Sequence, residues 1–223
     1  MMKIVLSLTL FLFGFTCVFA QQKTISQTEF DSAISNNSPD KWKGKSYRVT
    51  ITTESKMEGR PQTNYLTKSI TEYASPTVSR FTHESNFGSK NSKNEAVTIG
   101  NKKYIRKGNE AWREGTFENN SQQVNDSTSV DSQFEYRFLG TEQVNAQTAN
   151  VYAKIEKRKR IDSANNKETF STITNKYWFG ENGMILKSDM EMESRTGEAI
   201  QHSRVTKIWE ADPNIRIEAP KVD

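Results

Sequence analysis

The chain has 223 residues, 34% of them hydrophobic and 26% charged, with a formal net charge of +4. This excess of positive charge is too mild for a protein built to hold a polyanion, and the sequence has no acidic tail and no heptad repeat. Its single cysteine is Cys17, so a chain cleaved behind Ala20 has no disulfide, no thiolate metal site and no cysteine nucleophile.

The N-terminus reads as a secretory signal peptide. Lys3 supplies the basic region, Ile4 to Phe15 is almost continuously apolar, and Val18-Phe19-Ala20 puts suitable residues before a cut at Gln21. Thr16 and Gly14 precede Cys17 where a lipid-attachment box would carry a small residue and typically Leu, which makes lipidation the weaker reading. Export after cleavage near Ala20 predicts a periplasmic or secreted protein. It argues against nucleotide-dependent chemistry and against nucleic acid as a partner. Residues 21–223 are then long enough for one domain stabilised by its own core.

One helix is expected early. Ser26-Gln27-Thr28-Glu29 has the spacing of a capping box, Phe30, Ala33 and Ile34 form an apolar stripe, and Asn36 to Pro39 stops it. A helix this short is marginal alone, so its stripe must pack on something. From Ser46 the period becomes two. Tyr47, Val49 and Ile51 alternate with Arg48, Thr50 and Thr52, and further strands follow over 64–73, 77–84, 95–99, 102–107 and 111–113. Gly100-Asn101 is a two-residue hairpin signal. Residues 119–132 are polar and read as a mobile loop. Beyond them lie strands at 134–138, 148–161, 169–179, 184–192 and 199–209. The expectation is mainly β: a curved antiparallel sheet of about eleven strands in meander order, a half-barrel or barrel, with one short N-terminal helix.

Catalytic signatures are missing. The two histidines, His83 and His202, lie on separate predicted strands and are expected to face solvent. There is no Gly-x-Ser-x-Gly elbow and no His-Glu-x-x-His. Carboxylates are scattered, and Glu191 and Glu193 share one strand face without forming a recognisable dyad. The sequence therefore points to a non-enzyme, with no catalytic residue, metal site or cofactor assigned. Lys157-Arg158-Lys159-Arg160 reads either as a docking patch for anionic lipid or as a solvated strand end that discourages edge pairing, the latter being preferred. Asn36, Asn119 and Asn125 open glycosylation-type triplets that matter only in a eukaryotic host.

The aromatic and methionine side chains are the remaining candidates. A short helix covers little of an eleven-strand sheet, so part of the apolar face must be closed by the sheet, a loop or a ligand. Phe81, Tyr104, Trp112, Phe138, Trp178, Met184, Met190 and Met192 are the candidate lining of an apolar cavity, and Met suits variable acyl chains because its shape adapts cheaply. Ordinary core packing is the competing reading.

The element order resembles the LolA-like lipoprotein-carrier superfamily, which includes RseB and mycobacterial lipid-binding lipoproteins. The likeness is carried by Glu72-Tyr73-Ala74-Ser75-Pro76 before Arg80-Phe81, by Val97 to Arg106 leading to Trp112, by Phe138-Leu139-Gly140 with Val151-Tyr152, and by Tyr177-Trp178-Phe179-Gly180 with Gly183 to Lys187. Asn145-Ala146 stands where many relatives have Asn-Gly, and no position matches the carrier's functional arginine. The resemblance implies a helix-lidded half-barrel that holds lipid or lipoprotein acyl chains, as a carrier or sensor linked to outer-membrane lipoprotein sorting. The alternative is an envelope protein-interaction module without a lipid ligand, and membrane contact is expected to be transient at most.

Overall fold

The computed structural model describes residues 22–36, 39–60, 64–88, 90–116, 128–162 and 166–222. The expected signal peptide and most of the 119–132 loop lie outside them. Helix α1 (Gln27–Asn36) and a single 3-10 turn (Pro39–Trp42) accompany twelve strands. In the first half these are β1 (Lys23–Thr24), β2 (Tyr47–Met57), β3 (Tyr65–Ser75), β4 (Val78–Phe87), β5 (Lys90–Ile99), β6 (Lys102–Lys107) and β7 (Arg113–Glu114). The second half supplies β8 (Thr128–Val144), β9 (Gln147–Asp162), β10 (Glu168–Gly180), β11 (Ile185–Thr196) and β12 (Ala199–Ala211).

All twelve join one open, curved antiparallel sheet, the half-barrel expected from the sequence. The order is β1-β8-β9-β10-β11-β12-β2-β3-β4-β5-β6-β7. This corrects the simple meander. Two meanders, β2 to β7 and β8 to β12, are joined through β12 and β2, so β7 and β8 lie at opposite ends of the strand order although they follow each other in sequence. The β12–β2 pairing runs from Gln201↔Met57 to Ala211↔Tyr47 and brings together strands from the two ends of the chain. Hairpin grammar specifies neighbours in sequence; it holds no signal for this closure between halves.

Residues 128–132, expected within a loop, belong to β8, paired with β9 from Thr128↔Asp162 onward. The polar sequence there is a strand edge rather than a break, because a sheet ladder needs backbone partners more than apolar side chains. Two-residue strand β1 also had no sequence signal; it is held by pairing to Phe138 and Arg137.

The capping box forms as expected. The Ser26 amide donates to Glu29 Oε2 at 2.8 Å, and the Glu29 amide donates to Ser26 Oγ at 3.2 Å. Phe30 is buried, with its ring centroid 5.1 Å from Tyr136 and 6.1 Å from Tyr177. Helix α1 therefore packs on the faces of β8 and β10. The main core lies at one end of the sheet, where Trp42, Ala149, Val151, Trp178, Phe179, Met184, Ile185 and Leu186 are all buried.

Candidate functional site

Period-two alternation gives the sheet two faces of different chemistry. Cross-strand partners share a face, so the register assigns each residue. The face that receives α1 carries Tyr177, paired with Ser188, then Lys207, Ile51, Ser69 and His83 in successive strands. The next row toward the packed end holds Trp209, Val49, Thr71, Phe81, Ala96 and Ile105. On the other side lie Met190, Val205, Thr53 and Thr67, followed by Met192, Ser203, Ser55 and Tyr65.

Helix α1 reaches only the β8–β10 part of this face. Across β11, β12, β2 and β4, the side chains of Met190, Met192, Val205, Trp209, Val49, Ile51 and Phe81 are half-buried. Trp209 packs against the core cluster at its end of the row; helix α1 does not extend over the others. Burying a side chain of this kind fully is worth about 1.5–3 kcal/mol relative to exposure, so an apolar occupant of this face has something to gain.

The opposite face is a lattice of ion pairs. Arg48 donates to Glu72 at 2.8 Å and to Asp212 at 3.2 Å, and Arg80 lies 3.5 Å from Glu72. Buried Asp189 accepts from both Arg204 and the Thr206 hydroxyl. The Arg106 guanidinium pairs with Glu95 and sits 4.8 Å from the Trp112 ring centre. The grooves at the free end of this face are polar, lined by Glu54, Lys56, Glu191, Glu193, His202 and Arg204.

The eight cavity candidates divide between the faces. Phe81, Phe138, Met190 and Met192 lie on the helix face by register. Tyr104, paired with Val97 and Glu114, lies on the ion-pair face, as does Trp178, opposite Val151 and Lys187. Trp112 sits against Arg106 on that side too. Met184 is buried in the β10–β11 connection and joins the core cluster. Of the eight, the structure thus brings only Phe81, Met190 and Met192 toward the uncovered region, Phe138 being packed against Tyr152 at 5.2 Å between ring centres. Residue type alone cannot assign these faces, because they follow from the cross-strand register rather than from the side chain.

The sequence reading missed Val49, Ile51, Val205 and Trp209. The alternation of Tyr47, Val49 and Ile51 along β2 was the available signal for two of them; β12 offers none, since Lys207 interrupts its apolar face. The sequence reading also placed both histidines toward solvent. His202 is exposed, its Nε2 3.1 Å from Glu58 Oε1, but His83 is half-buried on the helix face. Its Nδ1 shares a 2.8 Å hydrogen bond with Ser69 Oγ, and its ring lies parallel to that of Phe81 at 6.2 Å. Lying on opposite faces, the two histidines form no pair.

The basic run splits as β alternation requires. Arg158 pairs with Glu156 at 2.8 Å on one face and Lys159 with Glu168 at 2.7 Å on the other. Burial raises the Tyr177 phenol pKa, and burial together with neighbouring Tyr73 raises that of Tyr47. No group of three or more potential metal ligands occurs among the described residues.

No family model matches the sequence, and no curated protein matches it. Among solved structures, the chain is similar to the LolA superfamily protein NE2245 from Nitrosomonas europaea, at 7% identity and a TM-score of 0.29 over 82% of this chain and 93% of that one. It is also similar to a DUF1329 family protein from Desulfovibrio piger, at 7% identity and a TM-score of 0.30 over 85% and 94%. A third is the domain of an outer membrane lipoprotein-sorting protein from Vibrio parahaemolyticus, at 10% identity and a TM-score of 0.25 over 84% and 92%. At such scores the likenesses say nothing about ligand or mechanism.

Proposed function

We propose that this protein is an exported, non-enzymatic binding protein that seats the acyl chain of a lipid or lipoprotein on the helix face of its sheet. The observation that carries the reading is the patch of half-buried apolar side chains beyond α1, Met190, Val205, Val49, Ile51 and Phe81, with Trp209 at its margin against the core and Thr71 and Lys207 set among them. A patch of apolar side chains on a concave face marks a ligand groove or an interaction site. The adaptable Met190 and Met192 at its margin suit chains of differing length and unsaturation. Periplasmic or secreted localisation, after cleavage behind Ala20, belongs to the same proposal and rests on residues 1–20.

The test is native mass spectrometry of the mature protein purified from its own host's envelope, before and after extraction with organic solvent. A co-purifying lipid mass that disappears on extraction supports the reading and identifies the cargo. A clean apo mass with no uptake of added lipid overturns it in favour of an envelope protein-interaction module. The same spectrum reads the N-terminus: a mass beginning at Gln21 supports the cleavage site.

A further inference from the structure

Away from β9, whose buried Glu156 lies on the helix face and is paired with Arg158, the helix face has a charge asymmetry that apolar packing does not require. Strands β2 to β6 and β10 to β12 carry Glu54, Glu72, Glu84, Glu95, Glu168, Asp189, Glu191, Glu193 and Glu210. By register every one of these carboxylates lies on the ion-pair face. None of the described residues of these strands places a carboxylate on the helix face. That face nevertheless holds Lys207, half-buried between Trp209 and Val205 along β12. Lys207 has no ion-pair or hydrogen-bond partner among the described residues, whereas Arg48, Arg106 and Arg204 of the other face are paired.

Ile51 separates Lys207 from Ser69 in register, and Ser69 is bonded to His83. With strands about 4.8 Å apart, Lys207 and Ser69 stand on backbones roughly 10 Å apart, a gap that a lysine side chain can largely span. In either histidine tautomer, this dyad still presents one free donor: the ring N–H when Ser69 donates to Nδ1, or the Ser69 hydroxyl when Nδ1 donates to it. Lys207 and the Ser69–His83 pair thus flank one isoleucine on the same face of the sheet.

We infer that this row, Lys207, Ile51, Ser69 and His83, is the headgroup subsite of the acyl groove, and that its ligand is a long-chain fatty acid bound through its carboxylate. The inference rests on the acyl-binding reading and deepens it. An apolar chain laid over this face desolvates Lys207, and an uncompensated buried ammonium is costly. A neutral amphiphile leaves that cost standing; a monoanionic one removes it by bringing the counterion. One carboxylate has two acceptor oxygens, which matches one ammonium and one donor of the Ser69–His83 pair. Placement in the middle of the face lets the chain run toward Trp209, Val49 and Phe81.

The experiment is equilibrium dialysis of the mature chain with oleate, methyl oleate and dioleoylphosphatidylglycerol, each below its aggregation threshold, for the native protein, Lys207→Met and Ser69→Ala. The expected result is oleate binding at least roughly tenfold tighter than methyl oleate, a preference lost in Lys207→Met and cut roughly fivefold in Ser69→Ala, with methyl oleate bound alike by all three. Equal binding of oleate and methyl oleate by the native protein overturns the headgroup subsite and leaves the acyl groove standing. Binding of neither overturns the acyl reading and the subsite with it. Preference for phosphatidylglycerol over oleate overturns the carboxylate assignment in favour of a phosphodiester. If Lys207→Met fails to fold by circular dichroism, Ser69→Ala decides: an unchanged oleate preference there overturns the proposal.

Discussion

The indole Nε1 of Trp42 donates a 2.9 Å hydrogen bond to the carbonyl oxygen of Ile185, 143 residues away in sequence. Trp42 is 2% exposed and its ring lies 5.2 Å from that of Tyr47. One side chain thus ties the segment after α1 to the start of β11 and to the start of β2, the two meanders that meet through β12. Trp42→Phe keeps most of the volume but leaves the Ile185 carbonyl without its donor. We expect a loss of about 1–3 kcal/mol, and of about 3–5 kcal/mol for Trp42→Ala, measured by urea denaturation. A loss below about 0.5 kcal/mol for the alanine variant contradicts this role.

The β8–β9 turn holds Asn145 at φ 50° and Ala146 at φ 61°. These are the angles of the primed hairpin turn, in which the second position favours glycine. Ala146→Gly removes the left-handed strain of an alanine and is expected to raise stability by about 0.5–1 kcal/mol, although glycine costs entropy when it is fixed. A denaturation midpoint that stays put or falls contradicts it.

Three glutamates set the acid limb of stability. Burial would raise the Glu156 pKa, but hydrogen bonds from Arg158 and Ser132 outweigh it and hold the carboxyl low. The Ser26 amide and hydroxyl lower Glu29, and Arg137 lowers Glu135. A carboxylate whose folded pKa is depressed contributes stability that is fully present above its unfolded pKa and lost as pH falls through the folded one. Stability is therefore expected to be flat near neutrality and to decline from about pH 4 downward. In Glu156→Gln the neutral-pH stability falls and the acid decline becomes shallower; parallel pH profiles for the two proteins would contradict this.

Tryptophan fluorescence separates the two faces. Trp209 lies on the helix face beside Lys207 and Val205, whereas Trp112 and Trp178 lie on the ion-pair face. Brominated fatty acid is expected to quench emission in Trp112→Phe and Trp178→Phe as in the native protein, and to lose most of that effect in Trp209→Phe. Quenching that survives Trp209→Phe and disappears in Trp178→Phe would move the groove to the other face.

Val205→Asp puts a carboxylate among Thr53, Met190 and the uncovered apolar row. Because Val205 is only half-buried, the fold should survive, while acyl binding weakens by roughly tenfold or more through desolvation and repulsion of an anionic chain. Unaltered uptake of lipid by a folded Val205→Asp protein contradicts the assigned seat.

Local chemistry was legible in the chain. Ser26 and Glu29 specify their cap, Phe30 marks the buried stripe of α1, and Gly100-Asn101 closes its hairpin between Ile99 and Lys102. Alternation from Tyr47 to Ile51 and from Phe134 to Phe138 identified strands, because side chains two apart must share a face. These signals operate over a few residues and fixed the fold class, a curved β half-barrel with one short helix.

Only the tertiary structure decided which strands become neighbours and which faces coincide. The β12–β2 pairing joins residues far apart in sequence, and no local rule encodes it. Phe138 pairs with Tyr152 and Tyr152 with Tyr177, so Trp178, the next residue on β10, lies on the opposite face from Phe138 although both are aromatic in sequence. The same register places all nine carboxylates of β2–β6 and β10–β12 away from Lys207. Sequence determines what each residue prefers within a turn or strand; the collective register of twelve strands determines what it faces, since shifting one strand by one residue exchanges its two faces.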